Sequence, residues 1–154
     1  MIKILNAFHS KESELFSPLP AVVESLPDLI NRGHRLCIVS NNPWSESIRA
    51  SLRRHRIEHC FEGVIVSCDV GYRKPHREIF EEMQRQMMVT YSDILFVGDS
   101  YSHDIEMPKK MGMQTCLVDF EGLNKNNQKN RSKDSDLFLT RFDQLLQQAD
   151  KEII

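Results

Sequence analysis

The stretch ILFVGDSYSHD, residues 94–104, places an unbroken apolar run directly before two acidic residues. Ile94 begins the run, Gly98 ends it, and Asp99 and Asp104 follow five residues apart. A short run rich in Ile, Leu, Phe and Val is typical of a strand covered on both faces. The stretch therefore predicts a buried strand of a parallel sheet that ends on a pair of carboxylates.

Similar apolar runs alternate with helix-period segments along the chain. The predicted strands span residues 2–8, 35–40, 63–67, 93–98, 114–119 and 136–140. The predicted helices lie near residues 20–32, 45–56, 76–88, 102–111 and 141–150. Because strands alternate with helices, we expect an α/β fold with a parallel sheet and helices on both faces. We expect Pro20 to open the first helix and Pro27 to bend or restart it, and Gly33 and Gly112 to follow helix ends.

The composition is ordinary for a soluble globular protein. The 154 residues, 40% hydrophobic and 27% charged, predict a single domain over residues 1–154. Within it, the polar stretch 124–136 is expected to be a mobile loop. A net charge of −2 gives no electrostatic reason to expect nucleic acid or a membrane as a partner. No apolar run approaches the roughly 20 residues of a membrane span, and the N-terminal residues lack a signal-peptide pattern, so we expect a cytoplasmic location.

Cysteine and histidine residues give no pattern of a metal site. The four cysteines form no CxxC pair, and we expect them to be buried thiols. His55 and His59 are four residues apart, but no further ligands lie at zinc-site spacing. We interpret this histidine pair as part of a solvated helix end.

Polar residues follow three of the predicted strands. Ser40 and Asn41 end the strand 35–40, Lys74 lies after the strand 63–67, and Asp99 and Asp104 follow the strand 93–98. Each has a simpler interpretation, since serine and asparagine cap helices and most lysines are solvated. In an open parallel sheet, however, ligands bind at the carboxyl ends of the strands. A hydroxyl, an ammonium and two carboxylates at that edge can hold a phosphoryl group beside an oxygen-coordinated metal ion.

Three motifs in order resemble those of the haloacid dehalogenase superfamily of hydrolases. They are VSNN at 39–42, GYRKP at 71–75 and VGDSYSHDI at 97–105, and the resemblance extends to KKMGMQTCLV at 109–118. It covers roughly residues 18 to 120, and GYRKPHREIF is similar to the phosphatase-like branch of the family. The resemblance implies a Rossmann-like core. If the first predicted strand is the family's strand one, only about ten residues separate its end from Pro20, too few for a sizeable cap domain. The resemblance also implies a two-step reaction through an aspartyl-enzyme intermediate, usually with magnesium. Most members hydrolyse phosphate esters, and a few cleave carbon–halogen bonds.

The same resemblance assigns roles to the five polar residues. Ser40 and Asn41 would bind the phosphate, with Ser40 donating to the transferring phosphoryl oxygens. Lys74 would neutralise charge that develops on the nucleophile and the phosphate. Asp99 would be a ligand of Mg²⁺, and Asp104 either a ligand or a partner that orients one.

The aspartate nucleophile of that family, which ends the first strand in an Asp-x-Asp-x-Thr motif, is absent from this sequence. The one Asp-x-Asp, Asp134 to Asp136, precedes a predicted strand, where its side chains would face the wrong edge of the sheet. In one explanation the chain is a truncation that has lost strand one, which would leave two unpaired edges inside the sheet. In the other, MIKILNAFHS is itself strand one, with Asn6 at the nucleophile position and Phe8 at the position of the general acid and base. Asn6 is a poor nucleophile and a weak magnesium ligand, and Phe8 cannot transfer a proton.

Three functions therefore stay open for the sequence. The chain is a phosphatase-type hydrolase with impaired or absent turnover, or a non-catalytic phosphate-binding, metal-binding or protein-interaction module. The third possibility is that another chain or subunit supplies the missing aspartate nucleophile. The partners this leaves open are a small phosphorylated molecule, a phosphoprotein, or further copies of the chain in an oligomer.

Overall fold

The computed structural model of the chain describes residues 2–5, 18–119, 135–141 and 143–149. These ranges contain six strands, most of them separated by helices. The strands are β1 (Ile2–Leu5), β2 (Arg35–Ser40), β3 (Gly63–Val66), β4 (Ile94–Gly98), β5 (Gln114–Val118) and β6 (Leu137–Leu139). The helices are α1 (Pro20–Asn31), α2 (Ser45–Arg54), α3 (Ser67–Val70), α4 (Arg77–Met87), α5 (Glu106–Lys110) and α6 (Asp143–Ala149). Short 3₁₀ turns at Glu58–Cys60 and Tyr91–Asp93 lead into β3 and β4.

The described strands form one parallel sheet in the order β3-β2-β1-β4-β5-β6. Strand β1 therefore lies at the centre, paired with β2 on one side and β4 on the other. Leu5, the last residue of β1, pairs with Val97 of β4, so both strands end at the same edge. The explanation in which strand one is missing is wrong, since residues 2–5 fill that place. Asn6, which follows Leu5 in the sequence, lies outside the described residues.

Helices cover both faces of the sheet, as the unbroken apolar strands predict. On one face α1, α2 and α6 pack against the strands through buried residues such as Leu26, Ile48 and Leu145. On the other face α4 packs through Phe80, whose ring meets the ring of Phe96 edge-on at 5.3 Å between centroids. Successive strand side chains point to opposite faces, so a strand with both faces covered is apolar at every position. The predicted α/β architecture is confirmed.

Two local expectations, a restart of α1 at Pro27 and the burial of all four cysteines, are wrong, and a bend of α1 at Pro27 stays a prediction. Helix α1 runs without interruption through Pro27, which is exposed, while Leu26 and Leu29 on either side are fully buried. We attribute the continuity to this buried face, which offsets the backbone hydrogen bond that proline removes. Cys68 is exposed, although Cys37 and two other cysteines, Cys60 and Cys116, are buried as expected.

The helix predicted near 102–111 is divided into two parts. A π-helical turn, Tyr101–Ile105, comes first, and α5 follows it. Gly33 and Gly112 have positive φ angles of 82° and 90° after α1 and α5, as expected of helix ends. Residues 124–134 of the predicted polar loop lie outside the described residues.

No helix in the described ranges has both the length and the apolar character that crossing a membrane requires.

Candidate functional site

The predicted site residues lie at or after the carboxyl ends of β2 and β4 and in the loop before α4. Ser40 is buried at the end of β2, and Asp99 is half-buried directly after β4. Lys74 lies between α3 and α4 and is only 2% exposed, so its interpretation as a solvated surface lysine is wrong. A buried cation needs a partner of opposite charge, because an unpaired charge in the protein interior is energetically costly.

Asp104 is the partner of Lys74. The Lys74 ammonium donates to Asp104 Oδ1 at 2.7 Å, and the Asp104 side chain is 1% exposed. The other carboxylate oxygen, Oδ2, accepts the Ser100 backbone N–H at 3.0 Å. The ammonium also lies 5.7 Å from the centre of the Phe96 ring, within the range of a cation–π contact. Charge and hydrogen-bond partners therefore compensate the desolvation of this ion pair.

The local backbone explains how Asp104 reaches this position. The π-helical turn after Ser100 carries Asp104 back over the end of β4, with the Asp104 N–H donated to the Ser100 carbonyl at 2.7 Å. Gly98 has no side chain to obstruct the approach, since an added Cβ would lie 2.4 Å from Asp104 Cβ, Cγ and Oδ2. The glycine in the quoted stretch is therefore required for close contact with the carboxylate.

Asn41 fixes the main chain of Lys74. The Lys74 N–H donates to Asn41 Oδ1 at 2.7 Å, and Asn41 Nδ2 donates to the Lys74 carbonyl at 2.9 Å. The oxygen and the nitrogen of the Asn41 amide therefore both hydrogen-bond the main chain of Lys74. This arrangement predicts a rigid lysine at the edge of the sheet. It gives Asn41 a positioning role, beside the phosphate-binding role that the sequence predicts.

Two residues at the same edge were not identified from the sequence. Ser67 follows β3, and its hydroxyl accepts the Asn42 N–H at 3.0 Å and donates to the Asn42 carbonyl at 3.1 Å. Asp119 follows β5, is buried, and donates its N–H to Leu139. Both stand one residue beyond a strand, so the rule that ligands bind at carboxyl ends would have selected them too.

The fit of the site to magnesium is partial. Hard carboxylate oxygens suit this ion, but Oδ1 and Oδ2 of Asp104 are already bonded to Lys74 and Ser100. Among residues 18–119 and the other described ranges, no group of three or more His, Cys, Asp or Glu side chains is arranged to hold a metal ion. Asp99 and Asp119 also carry carboxylates at this edge, and the role of Asp99 as a ligand stays a prediction.

Asp136 lies at the opposite edge of the sheet, as expected. It precedes β6, and its Oδ2 accepts both the N–H and the hydroxyl of Thr115 at 2.8 Å. Thr115 is near the amino end of β5. Thr115 pairs with Phe96, two residues before the end of β4, so the Asp136 carboxylate lies on the amino side of that end, which supports its rejection as a displaced nucleophile.

Together the fold and the edge define a Rossmann-like α/β protein with a buried lysine–carboxylate pair at the ends of its central strands. A model of the haloacid dehalogenase-like hydrolase family matches residues 1–118. The chain belongs to this family.

Comparisons with individual proteins agree with that assignment. The chain is 33% identical over 118 residues to the glyceraldehyde 3-phosphate phosphatase of Methanothermobacter thermautotrophicus, which covers 74% of this chain and 50% of the relative. The chain thus spans about half the length of the curated relatives it matches.

Solved structures share the fold. The protein YfnB of Bacillus subtilis, solved bound to magnesium, is 21% identical and superposes with a TM-score of 0.74 over 86% of this chain and 56% of its own. An uncharacterized protein from Listeria monocytogenes is 15% identical and superposes with a TM-score of 0.77 over 97% of both chains. At such identities these likenesses concern the fold alone.

Proposed function

We propose that this chain binds a phosphate ester together with magnesium at the carboxyl edge of its sheet, and that hydrolysis of the ester is impaired. The observation that carries the proposal is the buried Lys74 ammonium, which Asp104 and Asn41 hold in place. A preorganised cation of this kind stabilises negative charge without reorganisation when an anion arrives. The phosphatase in the family comparison supports phosphate chemistry, and the chain's own residues carry the rest of the argument.

Each residue at the edge has a distinct part in the proposal. Lys74 attracts the phosphoryl group electrostatically, and the Ser40 hydroxyl donates to one of its oxygens. Asn41 and Asp104 are positioning residues, since they bond the main chain and the ammonium of Lys74.

Magnesium would be held by Asp99 and, when bound, would neutralise charge on the phosphoryl oxygens. The magnesium in the YfnB structure supports this choice of ion. Because both Asp104 oxygens are engaged, we assign Asp104 to Lys74 and not to the metal. With Asp104 engaged by Lys74, the site offers fewer carboxylate ligands and is expected to bind magnesium weakly.

Turnover is impaired in this proposal because of Asn6. The side-chain amide of asparagine is a neutral and poor nucleophile, so the covalent step of the family reaction lacks its attacking group. Phe8, two residues on, cannot donate a proton to the leaving group.

The test is hydrolysis of p-nitrophenyl phosphate with magnesium by purified, folded chain. We expect the wild type to be no faster than the Asp99→Asn control. The double variant Asn6→Asp/Phe8→Asp, which restores both acidic groups, is expected to exceed it by about 100-fold or more. That gain should disappear when Asp99→Asn is added to the double variant.

Two results would contradict the proposal. Wild-type hydrolysis that Asp99→Asn abolishes would show that turnover is intact. Hydrolysis whose specific activity rises with protein concentration would show instead that another subunit supplies the nucleophile.

A second function is favoured by the closed geometry of the ion pair. Since Lys74 and Asp104 already satisfy each other, the pair can serve as a structural element in a non-catalytic interaction module. This alternative predicts that neither magnesium nor inorganic phosphate raises the melting temperature. The proposed function predicts that the two together raise it, because a ligand that binds only the folded state stabilises it.

A further inference from the structure

Two residues with exposed aromatic side chains lie close in the chain to residues of the candidate site. Trp44 is 64% exposed and Tyr72 is 47% exposed. In the described ranges the other large exposed apolar residues, Ile30 and Met88, lie near the ends of α1 and α4, where the chain leads into the amino ends of β2 and β4. The aromatic pair is therefore concentrated at the carboxyl edge, where the phosphate is proposed to bind.

Trp44 is fixed to the loop that holds Lys74. Its N–H donates to Asn42 Oδ1 at 2.8 Å, and its carbonyl accepts the Ser47 hydroxyl at 2.8 Å. The backbone of Asn42 is in turn bonded twice to Ser67. Trp44 is three residues from Asn41, so their Cα atoms are at most about 11 Å apart.

Tyr72 lies close to Lys74 in the chain, directly after a turn. It follows Gly71, whose φ of 83° turns the chain after α3, and it is two residues from Lys74, at most about 7 Å between Cα atoms. Its ring lies 6.1 Å from the ring of His76. Arg73 and His76, both exposed, add nitrogen donors beside it.

We propose that Trp44 and Tyr72 form an aromatic platform at the rim of the site, and that the ester it takes carries an aromatic ring close to its phosphate. This inference rests on the proposed function, since the phosphate anchors the ligand at Lys74. A ligand ring that covers these two aromatic rings would remove apolar surface from water, which is favourable. Both rings have only two side-chain torsions, so little conformational entropy is lost when a ligand ring stacks on them.

Trp44 is the only tryptophan in the chain, so its fluorescence reports directly on the platform. The experiment titrates the full chain with magnesium and four ligands: a nucleoside monophosphate, phenyl phosphate, glycerol phosphate and inorganic phosphate. We expect the ring-bearing esters to change the fluorescence and to bind at least 5-fold more tightly than glycerol phosphate, as expected of base–aromatic stacking. The first two ligands distinguish a nucleobase from a simple aryl ring.

Matched variants separate the platform from the phosphate site. Tyr72→Ala, followed by Trp44 fluorescence, and Trp44→Ala, followed by calorimetry, should each weaken the ring-bearing esters about 5-fold or more and leave inorganic phosphate unchanged. Met88→Asn, which removes a distant exposed apolar side chain and suits the left-handed backbone there (φ 52°), should change neither.

Three outcomes would overturn the inference, and they are distinguishable. Inorganic phosphate that binds with the same affinity as the ring-bearing esters would refute the platform and leave the proposed function standing. Failure of inorganic phosphate itself to bind would refute the proposed function and the platform with it. A Trp44→Ala variant that changes the oligomeric state in size-exclusion chromatography, with ligand affinities unchanged, would show that the rings contact another copy of the chain.

Discussion

Lys74 Nζ lies 2.7 Å from Asp104 Oδ1, and the structure removes both side chains almost completely from solvent. Thirty residues separate them in the sequence. Each charge is tolerated in the interior because the other is present, so their energies are coupled. The pair belongs to the candidate site and also to the stability of the fold.

The first prediction concerns this coupling. Lys74→Met and Asp104→Asn should each lower the free energy of unfolding by about 3–5 kcal/mol, because each leaves an uncompensated buried group. The double variant should cost clearly less than the sum of the two, since it removes both groups together. Urea unfolding of the four proteins measures the coupling.

An exposed ion pair of the same length provides the control. Arg77 Nε lies 2.7 Å from Glu81 Oε1 on the surface of α4, with both side chains about half or more exposed. Arg77→Met and Glu81→Gln should change stability little and additively, because water screens the pair. If the Lys74 and Asp104 substitutions also changed the free energy of unfolding little and additively, the proposed coupling of the buried pair would be wrong.

The second prediction concerns Gly98. In Gly98→Ala the new Cβ would lie 2.4 Å from Asp104, so the carboxylate must move away from Lys74. We expect a loss of at least about 1–3 kcal/mol of stability, as for overpacked cores. Any stabilisation by magnesium with phosphate should be lost as well, which thermal melts with and without these ligands would show.

Gly63 is the matched control for Gly98. It is also a buried strand glycine, but its added Cβ would meet the sulfurs of Cys37 and Met87 at 2.9 and 3.0 Å. The long Met87 side chain can shift, although the Cys37 sulfur has less freedom. Gly63→Ala should therefore be less destabilising and should retain the response to phosphate. Equal effects of the two substitutions would contradict the role given to Gly98.

The order of strands and helices was predictable from the sequence because it depends on local patterns. The run RLCIVS at 35–40 has four apolar residues in succession and is bounded by turn signals, and β2 has those bounds. The central place of β1 also followed, since Ile2–Leu5 is the apolar run that fills the interior of the sheet.

The bonding of Asp104 was not predictable from the sequence alone. Asp99 and Asp104 both looked like metal ligands, because the sequence shows the residue types and not which oxygens are already used. The Lys74 contact depends on the approach of two loops in space, and the π-helical turn that directs Asp104 has no sequence signature that we could use. The roles of the site residues, the single-domain organisation, the partners and the cytoplasmic location stay predictions.

The third prediction is a pH dependence at the opposite edge of the sheet. Partial burial raises the pKa of Asp136, but the two hydrogen bonds from Thr115 and one from Lys109 more than offset it, so the pKa is below its usual value. A carboxyl whose pKa is lower in the folded state stabilises the fold above its unfolded pKa of about 3.9 and loses that contribution as the pH falls through the folded pKa. Asp136→Asn should therefore reduce stability near neutral pH and converge with the wild type in acid.

Thr115 provides a graded version of this test. Thr115→Val removes the hydroxyl donor and keeps the backbone N–H, so the pKa of Asp136 should rise part of the way, measured by NMR titration of its carboxyl carbon. The stability difference from the wild type should be smaller than for Asp136→Asn. An unchanged titration in Thr115→Val would show that the hydroxyl does not contribute.

The last prediction concerns the reactivity of the thiols. Burial, with a smaller contribution from the charge of Glu62, raises the pKa of the Cys37 thiol to about 12, and burial also raises the pKa of Cys60. Cys116 is fully buried, whereas Cys68 is exposed on α3. Because the thiolate is the reactive form and the reagent needs access, Cys68 should react with a disulfide reagent in seconds to minutes at neutral pH, and the other three only as the chain unfolds. Cys68→Ser should remove the fast phase and leave the slow one, and a second fast thiol in that variant would show that the structure around a buried cysteine opens locally without global unfolding.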